Sequence, residues 1–172
     1  APTWATTLGD HRFDDRLAPR DAAAIARAGA ERDALLVRLD AIQPSTLGGP
    51  DRITHAMLHG KLAAEQGIDA CKFHEWTIDS GGGSLFGELS YLVESHMVKT
   101  PLDATNLIAR LRQGDTLVDA TIENLSLGLA GKRVTSAEKL RRAIDQLDAE
   151  LAKPTETWAM VTPAWATLIG VD

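Results

Sequence analysis

The sequence predicts an all-α fold built as a multi-helix array of antiparallel helices, and three observations support this prediction. Apolar residues recur at three- and four-residue steps through most of the chain, which is the spacing of one helix face. No alternation of apolar and polar residues is long enough to indicate a sheet. Aromatic residues make up only 5% of a chain that is 44% hydrophobic, so small apolar side chains supply the core and favour closely packed helices. The 172 residues are expected to form one helical domain or one part of a larger one.

The chain opens with a charged N-terminal motif at 1–18. Gly9 breaks a short helical turn rich in Ala and Thr, and ionisable side chains then crowd around Phe13. An ion-pair and capping network around a tight turn is the preferred interpretation, because one turn cannot align a nucleophile, a base and an orienting group. The alternative is an acid/base cluster formed by Asp10, His11, Asp14, Asp15 and Arg16.

Two long helices are expected to follow this motif. The first covers 19–43, since Pro19 suits a first helical turn and an apolar stripe continues from there. A loop rich in Pro and Gly then separates it from a second helix at 51–76, for which Asp51 is the expected N-cap.

The second half of the chain shows clearer helix boundaries. Thr100 is expected to cap a helix with Pro101 at its first position and an acidic residue in its first turn. The stretch from Thr135 to Glu138 has the pattern of a capping box. The expected elements are a Gly-rich loop at 77–84, a short helix at 85–97, helices at 101–129 and 135–152, and a tail at 155–172 that docks on a partner segment.

Composition excludes several classes of protein. The net charge of −6 leaves no electrostatic footprint for nucleic acid, and no run of 18 apolar residues could span a membrane. Cys71 is the only cysteine, so neither an intrachain disulfide nor a cysteine-based zinc site is expected. Its apolar neighbours predict a small buried hydrophobe.

Two histidine patterns suggest metal chemistry. His55 and His59 are four residues apart, which places both imidazoles on one helix face. They lack the glutamate that a zinc-protease helix carries beside its first histidine, so two hydrogen-bonded histidines are the preferred interpretation and a metal site is the alternative. His74 and Glu75 begin the His-Glu-x-x-His motif, but Ile78 stands where its second histidine belongs.

The Gly-rich loop is a candidate wall of a substrate cleft. A mobile loop without any ligand is the preferred interpretation, and a cleft wall is the alternative, because small residues let a peptide backbone approach closely. No lysine follows the glycines, so this is not a nucleotide phosphate loop. The candidate residues are Ser80, Gly81, Gly82, Gly83 and Ser84.

Two stretches carry a resemblance to a known family. They are PTWATTLGDHRFDDRL at 2–17 and RLRQGDTLVDATIENLSLGLAGKRVTSAEKLRRAIDQL at 110–147. Both resemble the bacterial family called "domain of unknown function 885", whose members look like helical zinc peptidases. In that family the His-Glu-x-x-His motif lies downstream of such regions. The resemblance implies that this chain is the N-terminal portion of a larger helical metallopeptidase-like fold. The implied zinc belongs to the complete protein and is not bound by this chain.

The sequence and the resemblance therefore indicate two candidate functions. The first is the non-catalytic N-terminal part or subunit of a zinc-dependent hydrolase acting on peptide or amide bonds. Its partners would be a peptide-like substrate and the C-terminal catalytic part of the same protein, which would be either continuous with this chain or a second chain. The alternative is a self-contained helical binding or scaffold domain without catalysis. The first predicts a large exposed apolar surface on this chain, and the second predicts a complete core. The sequence leaves both an exported or periplasmic location and a cytoplasmic one open.

Overall fold

The computed structural model describes residues 2–78 and 85–153, and within these ranges the protein contains helices and no strand. The all-α prediction is confirmed. None of the described helices is both long and apolar enough to cross a membrane. The α-helices are α1 (Pro2–Thr7), α2 (Ala22–Asp40), α3 (Gly49–Asp69), α4 (Leu85–Ser95), α5 (Pro101–Leu111), α6 (Gly114–Ala130) and α7 (Ala137–Leu151), with short 3-10 helices at His11–Phe13, Pro44–Thr46 and Phe73–Glu75.

The chain divides into two compact units. Among the described residues, the first unit comprises 2–18, 78, 85–119 and 135–153, and the second comprises 19–77 and 120–134. The apolar core of the first unit forms around three buried leucines with a fourth packed against them, namely Leu17, Leu92, Leu117 and Leu111. Segments distant in sequence therefore meet in this unit.

In the second unit, α2 and α3 pack as an antiparallel hairpin. Leu36 of α2 and Leu62 of α3 are buried. Polar contacts join the end of each helix to the middle of the other: Arg32 pairs with Asp69 at the end of α3, and His59 pairs with the Asp40 carboxylate at the end of α2. The face of α3 that carries His59 and Leu62 therefore lies against α2.

Of the two long helices in the N-terminal half, the first begins later than predicted and the second begins earlier. The helix predicted at 19–43 begins at Ala22, because the Asp21 side chain accepts from the Ala24 N–H and caps it. The helix predicted from residue 51 begins at Gly49 with Gly48 at the N-cap, so the assignment of Asp51 as the cap was wrong. Asp51 lies in the first turn instead, where its charge favours the helix dipole.

The C-terminal end of the predicted helix 51–76 was also wrong. α3 ends at Asp69, and Lys72 adopts the left-handed region with φ 47°, which terminates the helix before the 3-10 turn. The Trp76 indole N–H donates to the Cys71 carbonyl at 2.9 Å and fixes this turn. Cys71 itself is exposed, contrary to the prediction of a buried hydrophobe.

The single helix predicted at 101–129 is two helices in the structure. α5 ends at Leu111 and α6 begins at Gly114. Gln113 lies in the interruption, and its side-chain amide donates to the Asp15 carbonyl at 2.7 Å while its oxygen accepts from the Leu17 N–H at 3.1 Å. The break is therefore used to bind the N-terminal stretch of the chain.

Helix capping agrees with the prediction at α5 and differs at α7. Thr100 caps α5 and forms a reciprocal capping box with Asp103. α7 is capped by Ser136, whose side chain accepts from the Lys139 N–H, so the box predicted from Thr135 is not the one formed. The helix predicted at 85–97 ends at Ser95. The predicted tail at 155–172 lies outside the described residues.

Candidate functional site

Arg110 is the centre of the most densely connected polar site among the described residues. Its side chain is fully buried, at 0% exposure, on the face of α5 that also buries Leu107. A charge so far from water requires partners, because desolvating an unpaired guanidinium is very costly. The partners come from the N-terminal segment, defined here as residues 2–17, and from the end of α4.

The Arg110 guanidinium uses all three of its nitrogens. Nε donates to the Arg16 carbonyl at 2.8 Å, and Nη2 donates to the Phe13 carbonyl at 2.8 Å and to Thr6 Oγ1 at 2.7 Å. Nη1 donates to His96 Nδ1 at 3.2 Å. This planar fork of donors is specific to arginine, and it ties the N-terminal segment to α5. The name arginine cluster is used below for Thr6, Asp14, His96 and Arg110.

Asp14 supplies the negative charge of the arginine cluster. It is 3% exposed, and its carboxylate lies 3.5 Å from Arg110 Nη2 and accepts from Thr6 Oγ1. Its second oxygen bonds His11 Nδ1 at 2.8 Å. Burial acts to raise the pKa of Asp14, but hydrogen bonds from Thr6 and His11 and the charge of Arg110 outweigh it and hold the pKa below 3.8. The carboxylate is therefore ionised at neutral pH.

His96 completes the cluster in one defined protonation state. Its Nδ1 faces a guanidinium N–H and must accept, while its Nε2 faces the Asp103 carbonyl at 2.9 Å and must donate. Only the neutral ring with its proton on Nε2 satisfies both contacts. The ring is 3% exposed, so water does not replace either partner.

The remaining charged residues of the N-terminal motif form ion pairs near the surface. Asp10 accepts twice from the Arg12 guanidinium, and this interaction lowers the pKa of Asp10 to about 2. Asp15 pairs with Arg16 at 3.3 Å. Asp10 also caps the 3-10 helix His11–Phe13. These contacts agree with the ion-pair and capping interpretation of the motif, and Arg12 and Arg16 both lie over the Phe13 ring.

His11 belongs to the same motif and also faces solvent. Its side chain is 71% exposed, and its Nδ1 is held by a nearly fully buried carboxylate. Such an Asp–His pair fixes the tautomer of the imidazole. The described residues place no serine, cysteine or second histidine against it, so the motif alone does not assemble a nucleophile with its base.

His55 and His59 lie on one face of α3, as predicted, with ring centroids 6.3 Å apart. His55 Nε2 contacts the Leu39 carbonyl at 3.0 Å, and His59 Nε2 contacts Asp40 Oδ1 at 3.0 Å. Both rings therefore fasten α3 to the C-terminal end of α2. Within the described part of the chain, no group of three or more His, Cys, Asp and Glu could hold a metal ion. These residues thus offer no fit for zinc.

Glu75 forms a second buried charge site, in the second unit. It is 6% exposed and bonds Arg133 and Lys72, with His74 farther away at 3.9 Å. The hydrogen bond from Arg133 is the main cause that lowers the pKa of Glu75. The glutamate of the incomplete zinc motif is therefore engaged in an ion pair. The loop candidates Ser80, Gly81, Gly82, Gly83 and Ser84 lie outside the described residues.

Thr6, His96 and Arg110 were not among the predicted site residues. The sequence did contain a signal for Arg110. It lies on the same helix face as Leu107 and Leu111, and this core-facing side of an amphipathic helix normally carries apolar residues. Thr6 and His96 gave no such signal, since their roles depend on contacts with distant segments.

Comparison with known proteins places the chain in a family. Residues 2–168 match the model of the family described as "Bacterial protein of unknown function (DUF885)". The searches of curated proteins and of solved structures found no match. Because the family match covers nearly the whole chain, this protein belongs to the DUF885 family.

Proposed function

We propose that this DUF885 chain is the non-catalytic N-terminal part or subunit of a zinc-dependent hydrolase that acts on peptide or amide bonds. The zinc and the general-base glutamate would come from a C-terminal catalytic part, as in the helical zinc peptidases that the family resembles. There the metal would polarise the scissile carbonyl and activate water. This chain would supply one wall of the substrate cleft.

The outer face of α3 is the observation that carries the proposal. Successive residues in a helix are rotated by about 100°, so the stripe through Ile53, Met57, Gly60, Ala64 and Ile68 lies opposite the face that packs on α2. Met57 is 71% exposed and Ile53 is 63% exposed. A contiguous exposed apolar surface of this kind normally marks a contact with another domain or chain. A further part of the protein that covers this face would make that contact.

The glycines of α3 support the same conclusion. A Cβ placed on Gly60 or Gly67 would meet no atom within 4 Å, so neither glycine is required by contacts among the described residues. Glycine in a helix interior costs about 1 kcal/mol relative to alanine. Close approach of another element to the outer face would account for that cost.

Native mass spectrometry with metal analysis, on the protein isolated from its natural host, tests the proposal. A larger species or a second chain that carries zinc and cleaves a peptide library is the expected result. A single metal-free 18.5 kDa monomer that melts cooperatively would overturn it in favour of the self-contained scaffold.

A pair of matched substitutions tests the outer face separately. In the complete protein, Met57→Glu should lower the melting temperature and the retained zinc, because it buries a charge at the contact. Thr54→Glu makes the same charge change at an exposed flanking position and should be tolerated. If both variants behave like the unmodified protein, the outer face is solvated and does not bind a catalytic part.

A further inference from the structure

We propose that the buried imidazole of His96 is a proton-controlled latch, which holds the N-terminal segment on α5 while neutral and releases it when protonated. The inference concerns regulation of the first unit and stands independently of the hydrolase proposal. It rests on the contacts of the ring within the arginine cluster.

The contacts of the His96 ring require it to be neutral. Arg110 offers only N–H groups, so the bond from its Nη1 to His96 Nδ1 exists only while Nδ1 has a free lone pair. The opposite nitrogen already carries the ring proton and gives it to the Asp103 carbonyl. The latch is therefore closed with a neutral ring.

An added proton on His96 would place two cations in contact. Protonated Nδ1 would point an N–H at the guanidinium, which converts a hydrogen bond of 3.2 Å into contact between two cations. His96 is 3% exposed and Arg110 is 0% exposed, so little water screens this repulsion. Neither group can turn outward without leaving the cluster.

The charged groups around His96 decide whether a proton on the ring is attracted or repelled. Arg110 and Asp103, both on α5, face His96 directly, and Asp14 and His11 lie behind Arg110. The Asp103 carboxylate attracts an imidazolium, but its Oδ2 is already held by two backbone N–H groups at the start of α5. Repulsion from Arg110 prevails because it acts through a direct contact. A proton on His11 would face Asp14 and would not oppose the cluster.

Arg110 links the His96 ring to the N-terminal segment. Apart from His96, every hydrogen-bond partner of the Arg110 guanidinium belongs to that segment: Thr6, Phe13 and Arg16. Displacing the guanidinium from His96 therefore disturbs all of these contacts together. The unfolded or opened chain binds the proton more readily, so opening becomes easier as the pH falls through the range in which imidazoles titrate.

Hydrogen exchange of the full chain at about pH 7.5 and about pH 5.5 tests the latch, since imidazoles titrate between them. After correction for the intrinsic exchange rate, amides of residues 2–17 should exchange roughly tenfold faster at the lower pH, because protonation of the ring favours the opened segment. Amides of the α2–α3 hairpin serve as the internal reference. Equal protection of the N-terminal segment at both pH values would overturn the proposal.

Two variants separate the latch from other histidines. His96→Asn retains an acceptor near the position of Nδ1 but does not titrate, so its N-terminal segment should stay protected at the lower pH. His59→Gln removes an exposed histidine of the second unit and should respond like the unmodified chain. An unchanged pH response in His96→Asn would contradict the role of the ring. Should that variant fail to fold, nitrogen NMR of the unmodified chain still decides, because a proton on Nδ1 at about pH 7.5 would also refute the latch.

Discussion

Replacing Arg110 by methionine is expected to remove a large fraction of the stability of the first unit. The substitution keeps an unbranched side chain at a fully buried position but deletes four hydrogen bonds, to Arg16, Phe13, Thr6 and His96. A hydrogen bond to a charged group contributes about 1.5–3 kcal/mol. The simple sum overstates the loss, because methionine buries apolar surface that arginine does not.

The more important cost is the carboxylate that remains. Asp14 is 3% exposed, and without Arg110 it keeps only the contacts from Thr6 and His11. Removing one partner of a buried ion pair typically costs about 3–5 kcal/mol, and we expect Arg110→Met to fall in this range. Native domains are stable by only about 5–15 kcal/mol, so this is a large fraction of the total.

Urea unfolding followed by circular dichroism, with amide exchange in α5 as a local reporter, measures this loss. Arg110→Lys should be intermediate, since lysine keeps the charge but lacks the planar fork. The double variant Arg110→Met with Asp14→Asn should be more stable than the sum of the single losses by about 1–3 kcal/mol. A loss below about 1 kcal/mol for Arg110→Met, or strictly additive losses, would refute the reasoning.

Three further predictions concern glycine, capping and pH. In this chain measured without its proposed catalytic part, Gly128→Ala should lose about 1–3 kcal/mol in urea unfolding, because its Cβ would overlap the Glu75 carbonyl. In the same chain, Gly60→Ala has open space around it and should gain about 0.5–1 kcal/mol, and equal effects of the two would contradict the predicted contact. Thr100→Ala should cost about 1 kcal/mol by removing the α5 cap, with Thr100→Ser as the tolerated control and unchanged melting of both as the contrary result. Because the pKa of Asp14 is held below 3.8 in the folded state, the unfolding free energy should fall as the pH falls through and below about 4, and Asp14→Asn should flatten that dependence; parallel pH curves for the two proteins would argue against it.

The all-helical class followed from local sequence alone. Apolar spacing identifies helices because each turn repeats the same geometry, and a cap such as Thr100 with Pro101 acts within a few residues. The same locality explains the errors. The helix predicted at 101–129 is divided at Gln113, which binds Asp15 and Leu17, residues that lie 98 and 96 positions away along the chain.

The identity of the buried charges was decided only by the tertiary structure. From the sequence, we expected the ionisable residues of the N-terminal motif to pair mainly with one another. In the structure, Asp14 turns inward to Arg110, and the guanidinium reaches Thr6 across 104 positions of sequence. Local propensity does not encode such a contact, because an arginine on an amphipathic helix is ordinarily solvated. Burial of Arg110 depends on several backbone carbonyls and one neutral imidazole arriving at the same place, which only the folded chain arranges.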